Sequence, residues 1–503
     1  MAPALSAIGL SVAFMSGIAH GEEDLKPVEQ SGLNAVLAEK GAKAAFNHAF
    51  EAGDELTEFN FTAERGVGAN VGEGRRFTRI PRADLTGATE WSAHLPTREG
   101  GPNATACIAC HNVPMANGAG DVAVNVLVDP AHTGDPKRFL ERNTLPLLAL
   151  GVPQRLAEEM TAELKTQRDA MVAQACRTGA ADTALVAKAV AFGTLAASRV
   201  AIEPCKVEID KNGLEGIDED LVVKPFGWKG NHATIRSFTR GAAHNELGLQ
   251  AVELVGDKDG DHDGIINELT VGDITSLTLY MAGLERPVTR LELADLGLTK
   301  VSEMEKFRIL EGEALFASTG CAACHVPEMK LDTPIFSEPS ATPGFYDVTF
   351  PSGTKPSDES LTQKTAIRFD LTADQPNNRI ETATGEIKLL GALRETKNGG
   401  ALAHWFTDFK RHNMGPVLAD PDAPLGIAAE MWPTRSLAGV GSTGPWLHDG
   451  RATTLDEAIR THGGEASDSR GAYASLPKEE REALIAYLEN LVIFKQEEED
   501  EDL

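Results

Sequence analysis

CIACH at residues 107–111 and CAACH at residues 321–325 are two copies of one pattern, C-x-x-C-H, and their reading decides the rest of the chain. Three chemistries place two cysteines and a histidine this close together. A zinc site would use both thiolates, but the histidine directly after the second cysteine points elsewhere, and the usual spaced histidine partner is missing. A redox dithiol expects a βαβ surrounding, which neither copy has. Covalent attachment of haem c uses the whole pattern: two thioethers to vinyl groups, and the adjacent histidine as proximal iron ligand. Two copies therefore predict two covalently attached haems. Cys107, Cys110 and His111 would hold the first; Cys321, Cys324 and His325 would hold the second.

The flanks of the two motifs repeat a plan. "VSEMEKFRILEGEALFASTG" (301–320) spaces Met304, Phe307, Leu310, Leu315 and Phe316 near the helical period and stops at Gly320. "SLPKEEREALIAYLENLVIF" (475–494) opens with Ser475 and Pro477, carries acids in its first turn, and presents Leu484, Ile485, Leu488, Leu491 and Val492 on one face. In the first half "GLNAVLAEKGAKAAFNHAFEAGDEL" (32–56) precedes the motif and "TVGDITSLTLYMAGLERP" (270–287) closes it. The expected fold is mainly α: two tandem cytochrome c-type domains, 22–290 and 291–495, meeting near 286–300. A helical insertion rich in Ala, Leu and Glu is expected over about 131–215 of the first domain.

The chain has 503 residues, enough for two or three cores, and its 47 Lys+Arg against 75 Asp+Glu give a net charge of −28. That charge argues against nucleic acid and anionic membranes as partners and favours a basic or neutral one. "MAPALSAIGLSVAFMSGIAHGEE" (1–23) has the short apolar run and small residues of a secretory signal over 1–21, with Ala19 and Gly21 at the cleavage positions. A periplasmic location follows as an expectation. No later segment reaches the roughly 18 uncharged apolar residues of a spanning helix. The remaining cysteines, Cys176 and Cys205, are expected to pair in an oxidising compartment. "DGDHDGIINE" (259–268) spaces Asp259, Asp261 and Asp263 like the start of an EF-hand loop. Position twelve is Thr270 rather than Glu, with Glu268 nearby, so calcium and an ordinary acidic turn both remain open. The tail after 495 is acidic.

Four stretches carry a family resemblance: "KPFGWKGNHATIRSFTRGAAHNELGLQ" (224–250), "CAACHVPEM" (321–329), "HNMGPVLAD" (412–420) and "STGPWLHDGRATTLDEAIRTHGGEA" (442–466). With them the chain resembles the di-haem oxidoreductases, some called thiol oxidoreductases, related to bacterial di-haem cytochrome c peroxidases and the methylamine-utilisation di-haem oxidase. The resemblance implies that Trp228 lies between the two haems and that Glu246 is the distal acid/base carboxylate of an open first haem. It implies that His462 stands where the peroxidases have a methionine sixth ligand to the second haem, with Met414 and His412 as rivals. A bis-His haem has a lower potential than a His/Met one, because thioether sulfur favours ferrous iron. His448 is expected to hydrogen-bond near the haem; beyond the motif, His132 is the one histidine before Trp228 and does not stand out as a distal ligand, so the first iron is expected to be five-coordinate or water-bound.

The leading expectation is an exported peroxidase-like enzyme. Electrons from a donor protein or small reductant enter at the C-terminal haem, and hydrogen peroxide or dioxygen reacts at the N-terminal haem. Two rivals use the same residues: a di-haem oxidase modifying a protein or organic substrate, and an electron-transfer cytochrome without catalysis.

Overall fold

The computed structural model describes residues 25–70, 75–76, 94–96, 102–121, 125–128, 135, 139–347, 350, 361–373, 379–381, 385–421 and 426–494. The segment expected as a signal, the acidic tail and His132 lie outside these residues. No described helix is long and apolar enough to cross a membrane.

In chain order, α1 (Gln30–Lys40) and α2 (Ala42–Glu58) precede the first motif. α3 (Gly151–Thr178) is followed by an antiparallel sheet of β1 (Ala180–Ala187), β2 (Val190–Ala201) and β3 (Lys206–Asp210). α4 (Ile235–Ala242) and α5 (Val271–Gly283) complete the first half. α6 (Glu303–Ser318) leads into the second motif. After it come a short hairpin of β4 (Arg411–Asn413) and β5 (Met431–Pro433), then α7 (Leu455–Thr461) and α8 (Lys478–Glu489).

The mainly-α expectation is corrected. Helix takes 39% and strand 16%, the latter in several small sheets, so the fold is mixed α/β and does not resolve into clear cytochrome c domains. The segment expected as a helical insertion shows why. Its alanines favour helix as isolated residues, yet its larger side chains alternate. Leu185 and Ala187 on β1, then Val190, Phe192, Leu195 and Ala197 on β2, bury one face. That period of two makes strands. The sheet lies on α3, whose Leu164, Met171 and Ala175 are buried in the same core. A disulfide joins Cys176 at the end of α3 to Cys205 before β3, with Cα atoms 5.9 Å apart. Downstream, the three- and four-residue strands at Met329–Leu331, Ile335–Glu338, Ile367–Asp370 and Ala401–Ala403 are too short to print a pattern. Leu331, Phe336, Ile367 and Ala401 nevertheless pack into the core built by the first half.

Two helix crossings recur, one beside each motif. In the first, α2 meets α5 at Gly53, where an added Cβ would stand 2.5 Å from the Ser276 carbonyl oxygen. In the second, α6 meets α8 at Gly312, where it would stand 2.0 Å from the Ala483 carbonyl oxygen. No larger side chain fits at either crossing, so each glycine sets how closely its helices approach. The crossing also settles which face of α6 is inside. Ile309, Gly312 and Phe316 are buried against α8, while Met304 and Phe307 are 81% and 70% exposed. The sequence periodicity had chosen the wrong stripe at that helix's start. Val288–Thr289 pairs with Leu491–Val492, tying the end of the first half to the end of the described chain.

Candidate functional site: two cavities with a shared wall

Each C-x-x-C-H opens with a single 3-10 turn, Cys107–Ala109 and Cys321–Ala323, which turns the histidine back toward the helices. Burial pushes the Cys107 thiol up to about 11 and raises Cys321 as well, so neither is an activated thiolate of the redox-dithiol kind. All four motif cysteines are free of disulfides. Among the described residues, no three close donors include both cysteines of a motif, which also disfavours zinc. Burial lowers His111 and His325 to about 4 each, His325 further under the influence of His462. Both imidazoles are therefore neutral, the state in which histidine binds a metal.

His111 lies at two adjoining cavities of about 260 and 80 Å³, and both also touch Thr144, Phe238 and Glu246. The smaller one adds Cys107 and Cys110. A third cavity, of about 330 Å³, is lined by Cys321, Cys324, His325, Met414 and His462. The two sites share a wall made of Asn143–Pro146, Trp228 and Thr434–Ser436. The donor sets and the apolar hollows beside them fit haem in both places.

Glu246 reaches its cavity through a local irregularity. Thr234 caps α4 by accepting from the Ser237 N–H, and α4 then widens into a π-helical turn, Ala243–Leu247. Such turns occur often at functional sites because they re-aim a side chain. Glu246 is half-buried there, and its carbonyl accepts from Asn103 and Ala104 at 2.7 and 3.0 Å, tying it to the segment entering the first motif. It is not a helix-start cap; Ala251 holds that place for the next helix. Beneath it, Arg236 and Arg240 are buried against Glu253, with Glu338 and Asp347 supplying further carboxylates.

Trp228 sits on a tight turn closed by the Phe226–His232 bridge, and its Nε1 donates to the Asn143 carbonyl at 2.6 Å. It belongs to a ring cluster that sequence reasoning missed. Trp432 on β5 stacks on His448 at 4.1 Å, and Trp228 meets Trp432 edge-on at 6.5 Å. The buried Lys229 ammonium lies 3.6 Å from the Trp432 ring centre and 3.1 Å from Asp420. Asp420 also takes both guanidinium ends of Arg142 at 3.0 Å. Lys229 and Trp432 were visible in "FGWKG" and "EMWPTR" only as residue types. Nothing local said that a ring would cover an ammonium 203 positions away in the chain. His448 thus spends its faces on tryptophan.

His462 is the C-cap of α7, a helix started by a capping box between Thr454 and Glu457. Its Nδ1–H donates to the Ala458 carbonyl at 2.8 Å, which leaves Nε2 unprotonated, and burial lowers its pKa. Its ring centre is 6.5 Å from that of His325. A metal between two imidazoles, ~2 Å from each nitrogen with about 1 Å more to each ring centre, separates the centres by about 6 Å. Met414 lines the same cavity. His412 has both ring nitrogens on carboxylates, Asp408 and Glu465, each at 2.8 Å. These partners push it up to about 11 against burial, so it is an imidazolium with no lone pair for iron. The third residue near it, Cys324, belongs to the second C-x-x-C-H motif.

The carboxylates of Asp259, Asp261 and Asp263 converge within 4.8 Å. Asp259 accepts from the Asp263 and Gly264 N–H groups, and Asp263 from Ile265. Thr270 is the N-cap of α5, and Glu268 accepts from the Gln250 N–H, so the end of the loop is built for helix initiation.

Residues 379–491 match the family described as "Di-haem oxidoreductase, putative peroxidase". The match spans Met414, Trp432, Arg435, His448 and His462, and lies beyond both C-x-x-C-H motifs. No curated protein matches the chain in sequence. Among solved structures, it is similar to a MauG-like protein associated with microbial copper homeostasis, at 16% identity and a TM-score of 0.26. That match covers 56% of this chain and 71% of the other. Kuenenia stuttgartiensis hydrazine synthase is similar at 18% identity and a TM-score of 0.20, over 47% of this chain and 60% of the other.

Proposed function

We propose, starting from the di-haem oxidoreductase segment at residues 379–491, that the chain is an exported di-haem c oxidoreductase with peroxidase-like chemistry. The observation that carries this reading is the wall shared by two cavities, each with its own C-x-x-C-H histidine and with Trp228 in the wall. Bound haem supplies the iron redox chemistry. The chain does the rest. Cys107 and Cys110, and Cys321 and Cys324, hold the two groups by thioethers, with His111 and His325 on the iron. His462 faces His325 and closes the second site, which makes that site an electron carrier. Glu246 faces an open first site and moves a proton between the oxygens of hydrogen peroxide. Trp228, which lines both cavities, offers an aromatic contact between the sites.

The electron donor is a small reductant or a basic protein, which the charge of −28 favours. A second reading, oxidation of a protein or organic substrate, is favoured by the His325–His462 pair. Two imidazoles hold a lower potential than the His/Met pair of the peroxidases.

The test is intact mass together with EPR of the oxidised holoprotein. The expected result is a mass exceeding that of the processed chain by two haems, colour that survives acid-acetone extraction, and one high-spin signal beside one low-spin signal. Fewer than two attached haems overturns the reading; two low-spin signals leave an electron carrier without catalysis.

Calcium at Asp259, Asp261 and Asp263 belongs to the same proposal. Calorimetric titration of calcium into chelator-treated holoprotein is expected to show one site per chain. Asp261→Asn should weaken it, and a flat titration of the parent removes calcium from the proposal.

A further inference from the structure

Arg435 stands apart from the other buried cations around the cavities. Arg236 and Arg240 share Glu253, and Arg142 and Lys229 share Asp420. Among the described residues no carboxylate pairs with Arg435, and burial alone pulls its pKa down to about 9. Its Nη1 and Nη2 donate to the carbonyls of Pro225 and Gly227 at 3.3 and 2.6 Å, while the buried Nε has no partner. The guanidinium lies 5.4 Å from the Trp228 ring centre, and the residue lines both cavities. A buried charge without a counter-charge is costly, and arginine does not escape by losing its proton. With no anion beside it among the described residues, the cavities it lines are where one can arrive.

We infer that Arg435 binds a haem carboxylate at the wall between the two sites, the propionate serving as the counter-ion that the described residues do not supply. The inference rests on the two-haem reading and adds to it a named contact. A guanidinium beside a carboxylate forms charge-assisted hydrogen bonds that fix the macrocycle's edge. Its charge also favours the reduced iron, because reduction lowers the positive charge it faces. One residue in the shared wall thereby adjusts the potential step between the sites.

The test compares the parent holoprotein with Arg435→Gln and Arg435→Lys, using haem content by mass, midpoint potentials by spectroelectrochemistry and propionate bending bands by resonance Raman. With both haems attached, Arg435→Gln is expected to lower at least one midpoint and shift a propionate band. Arg435→Lys should recover much of the midpoint but not the band, since it keeps the charge and loses the planar fork. Unchanged midpoints and bands in Arg435→Gln overturn the assignment. Shifted midpoints with unmoved bands overturn the contact and leave a distant charge. If the glutamine variant does not accumulate, the lysine variant decides alone: an unmoved band overturns the inference. A parent without haem removes the two-haem reading itself, a failure visible in the mass before any variant is compared.

Discussion

Replacement of Glu246 by glutamine is expected to lower peroxide-dependent oxidation of a reduced donor by about 10²- to 10⁴-fold, with both haems still attached and reducible. Cleaving an O–O bond heterolytically requires one group that takes a proton from one oxygen and returns it to the other. A carboxylate does both; an amide of the same shape does neither. The π-helical turn that carries Glu246 is anchored by its own backbone to Asn103 and Ala104, and below it by the Arg236–Glu253 pair. The substitution leaves those anchors in place, so lost activity reports the proton and not the fold. Stopped-flow mixing with peroxide measures it directly. A glutamine variant as fast as the parent would reduce Glu246 to an anchor of the segment entering the first motif. A parent inert to peroxide would move the substrate-oxidising reading ahead.

His462→Ala is expected to abolish the low-spin EPR signal of one haem and leave the other unchanged. Free imidazole should restore the signal by filling the vacated space. Three features prepare His462 for that role. It is neutral through burial, its Nδ1–H is fixed on the Ala458 carbonyl, and its ring faces His325 at 6.5 Å between centres. His462→Met should keep the signal but raise the midpoint, since thioether sulfur favours ferrous iron. An unaltered spectrum in the alanine variant would transfer the role to Met414, the other ligand type in that cavity. His412 is removed from contention by its two carboxylates.

Legibility varied with how local each feature is. The haem motifs, the capping box leading to His462 and the closing helix at 271–283 are each written within a few residues. The strands of 180–210 were misread because alanine favours helix, while alternation of the larger residues decided otherwise. The exposed start of α6 was misread because Met304 and Phe307 are apolar, whereas Gly312 decides which side can approach α8.

By itself the sequence determined where along the chain the two C-x-x-C-H motifs fall and which helices flank them, because motifs, caps and periodicities are contiguous. Only the tertiary structure decided that the two sites share one wall, that His325 faces His462, and that Lys229 lies over Trp432. It alone left Arg435 without a carboxylate among the described residues. Those relations join residues tens to hundreds of positions apart. They depend on which buried charges find partners and which glycines let helices close, and no short stretch of chain records either.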